Sequence, residues 1–136
     1  MYLICDQQDE EAVEALEDFF YAQGIEVSLP AFEADEAEVQ KIHIQNLRDC
    51  DAALIYYGAA GMHWVDFKIR DLQKAAGYRD SIPIPVSAVY LAPPFNRRKE
   101  RFKSLSTEVI RQTDDTFDPV LLEAFVASIL QSKEAN

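Results

Sequence analysis

Glycine and proline are scarce in this chain, four and six in 136 residues, while 49% of residues are hydrophobic. Such a composition excludes a disordered or low-complexity chain and is enough for a single sizeable core. There are only two cysteines, Cys5 and Cys50, each in apolar surroundings. They are expected to act as small core residues, not as a disulfide. His43 and His63 lie far apart without cysteines at ligand spacing, so no metal site is expected. No apolar run approaches the roughly 20 residues of a membrane helix. No basic stretch leads into a short apolar segment at the start, so no signal peptide is read and a cytoplasmic location is expected. Bases are outnumbered, 13 against 24 acids, and the net charge of −11 argues against nucleic acid as the main partner. P-loop, GxGxxG, HExxH and nucleophile-elbow motifs are all missing.

What is present is an alternation of elements. Tyr2–Cys5 reads as a first strand. Glu10 to Ala22 has Val13, Leu16, Phe19 and Phe20 at helical spacing, with Gly24 as its stop. Ile25–Leu29 alternates as a second strand that Pro30 ends, and Ala34–Arg48 is a second helix. Ala52–Tyr57 is a continuous apolar run, as a strand covered on both faces requires. Met62–Ala76 is a third helix with Gly77 as its stop, and Val86–Leu91 a fourth strand. Arg97–Leu105 reads as a short basic helix and Glu108–Arg111 as a fifth strand. Asp118 caps a last helix with Pro119 in its first turn and Val120, Leu121, Phe125, Ile129 and Leu130 facing inward. Five strands alternating with helices predict one α/β domain over residues 1–136 with a parallel sheet.

Charge is unevenly spread. Residues 1–51 carry fourteen acids against Lys41 and Arg48, a balance of −12, and the remainder is nearly neutral. Five bases fall within seven residues: Arg97, Arg98, Lys99, Arg101 and Lys103. Solvated faces explain this, and so does a molecule with an acidic and a basic side, suited to contact between copies.

Candidate site residues cluster where strands should empty into loops. Strand one exits through Asp6-Gln7-Gln8-Asp9. Asp9 is suited to capping the helix that follows, which leaves Asp6 as the better site candidate, with Gln7 beside it. Tyr57 and Gly58 end the third strand, where Gly58 and Gly61 permit a sharp turn and weakly resemble a phosphate loop. His63 and Trp64 open the third helix, and Trp64 is placed either in the core or against a bound ring. In the long loop after strand two, Phe32 suits a contact surface or lid, or else staples the next helix.

YLICDQQD, GIEVSLP and, above all, DCDAALIYYGAAGMHWVDFKIRDL together resemble a Toll/interleukin-1 receptor (TIR) domain of a divergent, bacterial kind over about residues 2–130. The resemblance implies a flavodoxin-like three-layer domain with a five-stranded parallel sheet of order 2-1-3-4-5. It also implies self-association through residues 30–38. Many TIR domains hydrolyse NAD with a glutamate four residues after the tryptophan, and here that position is Lys68. An ammonium opposes the positive charge that develops on the sugar as the bond breaks. Asp66 points about 200° away around the helix and cannot take its place without a change of register.

The first expectation is therefore a signalling or defence module, belonging to or paired with a larger protein. It assembles with itself or another TIR-like protein through residues 30–38, the acidic first half and the 97–103 cluster, with no cofactor. The alternative is an enzyme that cleaves an N-glycosidic bond of NAD or a nucleoside, with Asp6, Gln7, Tyr57, Trp64 and Asp66 lining its pocket. Nucleoside deoxyribosyltransferases, with a related fold, offer a second enzymatic version. A phospho-receiver fits less well, because Tyr57 and Gly58 stand where its aspartate should end strand three.

Overall fold

The computed structural model describes residues 1–134. Four parallel strands, β1 (Tyr2–Ile4), β2 (Ala52–Tyr57), β3 (Val86–Leu91) and β4 (Glu108–Arg111), form one sheet in the order β1-β2-β3-β4. β2 and β3 pair along their whole length, from Ala52 opposite Val86 to Tyr57 opposite Leu91. Strand alternation sends Leu3, Leu54, Tyr56 and Tyr90 to one face and Tyr2, Ile4, Ile55 and Tyr57 to the other. Helices α1 (Glu14–Ala22) and α5 (Glu123–Glu134) cover the first face with Leu16, Phe20, Phe125 and Ile129. α2 (Glu36–Asp49) and α3 (Met62–Lys74) cover the second with Leu47, Val65 and Leu72. β2 is buried at every residue, which is why its sequence shows no polar alternation. No helix among the described residues is long and apolar enough to cross a membrane.

The expected second strand is reduced to one bridge, Ser28 beside Tyr2. Ser28 N–H donates to Met1 O and Leu3 N–H donates to Ser28 O. The next rung would need an N–H at position 30, and proline has none, so the ladder stops. Gly24, at φ +78, ends α1 as expected. Its N–H bonds Tyr21 O and the N–H of Ile25 bonds Phe20 O, a Schellman closure that turns Ile25 into the core beside Phe20.

Other boundaries move. A 3₁₀ turn occupies Gln7–Asp9 and α1 begins only at Glu14. α2 starts at Glu36 behind an Asp35 cap. The basic segment forms only one turn, α4 (Arg97–Glu100). The expected last helix opens as a 3₁₀ turn, Pro119–Leu122, which leaves Val120 exposed, and Leu130 also faces out. Phe32 is half-buried against the first core, so it is not offered as a bare contact residue.

One buried polar chain crosses the second layer. The Tyr2 hydroxyl meets His43 Nδ1 at 2.7 Å, and His43 Nε2 meets Asp71 Oδ2 at 2.9 Å. It ties β1, α2 and α3 together. Burial, then the Lys68 ammonium, hold the His43 pKa below its ordinary 6.5, and Asp71 only partly opposes them. The folded state therefore prefers the neutral ring. That contribution is intact above the unfolded-state pKa and is lost as pH falls from there toward the native value. The wild type is expected to lose urea stability between about pH 7.5 and about pH 5.5. His43→Gln, weaker at the higher pH, should lose less across the same interval. An equal loss in both proteins would remove His43 as the cause.

Candidate functional site

Ligand sites in open parallel sheets lie beyond the carboxyl ends of the strands. Here that rim is built by the segments after Ile4, Tyr57, Leu91 and Arg111. Its geometry is fixed by a buried acid and a buried base that grip the same turn. Both carboxylate oxygens of Asp9 accept from Ala59 N–H, at 3.0 and 3.1 Å. Lys99 Nζ donates to Gly58 O and to Ala92 O, each at 2.6 Å, and lies 4.9 Å from the centre of the Tyr57 ring. The two side chains are only 4% and 3% exposed. Burial pushes the Asp9 carboxyl above its ordinary range despite those N–H bonds. Burial also pulls Lys99 down to about 8, against the attraction of Asp9.

Gly58 fits between them because it lacks a side chain. A Cβ there would come within 2.6 Å of Asp9 Oδ1 and of the Tyr56 ring. The glycine is thus required by close approach, and the segment is not shown to hold a phosphate. The expected roles of the two acids after β1 are exchanged. Asp6 is the cap, accepting from Gln8 N–H at 3.2 Å, while Asp9 is buried in the turn. Gln7 is exposed.

Among the cavities of the described residues, three open on the rim. The first, about 370 Å³, lies between α3 and the 98–103 segment and is lined by Met62, Asp66, Arg98, Arg101, Phe102 and Lys103. Below it Tyr57 is buried edge-on to Phe102 at 5.7 Å. Burial raises the Tyr57 hydroxyl pKa, Arg98 opposes that and Asp66 adds to it. The second, about 530 Å³, is on the α1 side and is walled by Tyr56, Pro93, Gln112 and Phe117. Tyr56 stacks on Tyr90 there, and the Tyr90 hydroxyl donates to Gln112 Oε1 at 2.6 Å. The third, about 430 Å³, runs along Phe95, Lys99, Glu100 and Arg111. A further cavity at Met1, Ser28 and Asp51 lies at the amino ends of the strands, away from the rim.

Met62 and Asp66 are four residues apart on α3 and share the face that looks at the rim. Lys68 points the other way. It borders a small cavity against α2 with His43 and Asp71, and its Nζ is 5.8 Å from the Trp64 ring centre. The angular separation expected between Asp66 and Lys68 is present, but Asp66 is the one directed at the rim. Trp64 is half-buried and packs on the second core, and His63 is exposed. Of the sequence candidates, Asp66 and Tyr57 are brought together, whereas Asp6, Gln7, His63, Trp64 and Lys68 are not. Lys99 and Asp9 were the residues that sequence reasoning underrated. The only signal for either was its place in a charged run at a strand exit. Among the described residues no three His, Cys, Asp or Glu side chains converge as a metal site would need.

No protein-family model and no curated protein sequence matches the chain. Two solved structures are similar in fold. One is the CMP N-glycosidase BcmB of Clostridium botulinum, with a TM-score of 0.54 at 14% identity, covering 93% of this chain and 99% of that one. The other is a 2-deoxyribosyltransferase of Bacillus psychrosaccharolyticus, with a TM-score of 0.52 at 11% identity, covering 93% and 96%. At such identities the likeness bears on the fold: a parallel α/β sheet flanked by helices.

If the turn after β2 is held from both sides, its two clamps are coupled. Gly58→Ala is expected to cost about 1–3 kcal/mol through overpacking. Lys99→Met, which leaves two carbonyls without their donor, should cost a similar amount, about 1–3 kcal/mol. In urea unfolding the double variant should fall short of the sum by more than about 0.5 kcal/mol. Simple additivity would mean that the two contacts act independently.

Proposed function

We propose that this protein acts on the N-glycosidic bond of a nucleoside or nucleotide, at the cavity between α3 and the 98–103 segment. The observation that carries the reading is Asp66: a carboxylate on the rim face of α3, in a cavity of about 370 Å³ that it shares with Phe102 and three bases. That volume is in the range of small-ligand sites. The fold is one shared with a CMP N-glycosidase and a 2-deoxyribosyltransferase, which supports this reading over a purely structural role.

As the bond from C1′ to the base nitrogen breaks, its electron pair leaves with the base and positive charge grows on the sugar. A carboxylate facing C1′ stabilises that charge. Water then adds to C1′ and its proton ends on the base, giving free base and sugar. Tyr57 lies edge-on to Phe102 of this cavity, and its hydroxyl is the proposed donor for the sugar or the departing base. Lys68, turned toward α2, does not oppose the charge. The test is release of free base from cytidine, deoxycytidine, CMP, dCMP and NAD by the purified chain, followed by chromatography. Turnover is expected for at least one pyrimidine substrate, with a loss on the order of 10²–10³-fold in Asp66→Ala. Lys68→Glu should leave the rate within about twofold, since it lies on another face of α3. No release from any substrate, or full activity in Asp66→Ala, would refute the assignment.

A second reading is favoured by the charge distribution: a TIR-like module that assembles with itself or a partner. Glu33, Asp35, Glu36 and Glu38 stand exposed on one side, Arg97, Arg98, Arg101 and Lys103 on another. Because Phe32 is turned inward, such a contact would be chiefly electrostatic. Sedimentation should then show association at low salt that dissolves as the screening length falls from about 30 Å to about 8 Å. A monomer at both salt levels removes this reading.

A further inference from the structure

We propose that the same cavity is an anion site that takes the terminal phosphate of a nucleotide, so that the preferred ligand is a nucleoside phosphate and not a free nucleoside. The inference rests on the reading above for what the rest of the ligand is, but its observations are separate.

The first is where the cations of this acidic chain are engaged. Arg79 donates to the carbonyls of Leu47, Arg48, Cys50 and Ile82. Arg111 donates to the carbonyls of Lys99 and Phe102, Lys99 is held in the clamp, and Lys133 pairs with Asp51. Among the described residues, Arg98, Arg101 and Lys103 have no ion pair and no side-chain hydrogen bond, a state six other bases share. Yet all three line one cavity, against the single carboxylate of Asp66. In a chain of net charge −11, three unpaired bases around one hollow form a local positive site. Two guanidinium groups and an ammonium are the donors that suit a phosphate, because each guanidinium presents a planar fork to two oxygens.

The second is the first turn of the thirteen-residue helix α3, which Gly61 precedes without supplying a side-chain cap and whose Met62 lines the same cavity.

The test uses the full chain labelled with ¹⁵N, titrated with inorganic phosphate, with CMP and with cytidine at constant ionic strength. Phosphate and CMP should shift the amides of Met62, His63 and Trp64 together with those of residues 98–103, and sodium chloride at equal ionic strength should not. CMP should bind at least about tenfold more tightly than cytidine, and Arg98→Ala/Arg101→Ala should remove most of that difference. Lys41→Ala, a base remote on α2, is the control for general charge and should change nothing. The inference is overturned if phosphate acts no differently from chloride, if CMP and cytidine bind alike, or if the double variant keeps the preference. The two readings fail separately. Phosphate-dependent shifts without base release would leave the anion site standing and remove the glycosidase. Base release at equal rates and affinities from CMP and cytidine would do the reverse.

Discussion

The turn after β2 depends on an acid and a base that are both taken out of water. Asp9 holds the N–H of Ala59, and Lys99 holds the carbonyl of Gly58, so the two polar ends of a single peptide unit are fixed from opposite sides. Such groups are costly to bury unless their bonding is satisfied, and both are. What this holds in place is large. The turn determines where β2 ends and therefore where Tyr57 lies. Lys99 also bonds Ala92, so the exit of β3 and the start of α4 are fixed by the same ammonium. The rim cavity between α3 and residues 98–103 has one wall on each side of this clamp.

Opposite faces of α3 then do different things. The face carrying Met62 and Asp66 looks at the basic segment, and the face carrying Lys68 and Asp71 looks at α2. A chain with a strong negative charge thus presents a locally positive hollow with one carboxylate inside it. In the function proposed above, that combination serves to attract an anionic ligand while leaving a negative group beside the ligand's sugar, a division of roles that a uniformly basic or acidic cleft cannot provide.

Much of the fold could be read from the sequence, and the reasons are local. The unbroken run Ala52–Tyr57 reads as a strand covered on both faces, and Gly24 is the residue that adopts φ +78 without strain where α1 must stop. Other features depended on partners distant in the chain. Asp9 looked like a cap because charge near a helix start usually is one; its real partner, Ala59, is 50 residues away. Lys99 was hidden among four other bases, and nothing in that run marks which one turns inward. The second strand looked regular up to Pro30, but its loss came from the rung that Pro30 could not make. Asp66 stood only in the alternative reading, because the angular argument that separates it from Lys68 does not say which side of α3 faces the rim.

That orientation is itself held in place by the Tyr2–His43–Asp71 chain. A helix lying on a sheet resists translation through its apolar side chains but slips more easily in roll about its own axis. Asp71 is grasped by α2 five residues beyond Asp66, which places the two carboxylates about 140° apart around α3. Anchoring one of them sets the azimuth of the other, so a histidine on a neighbouring helix governs the aim of an acid it never touches.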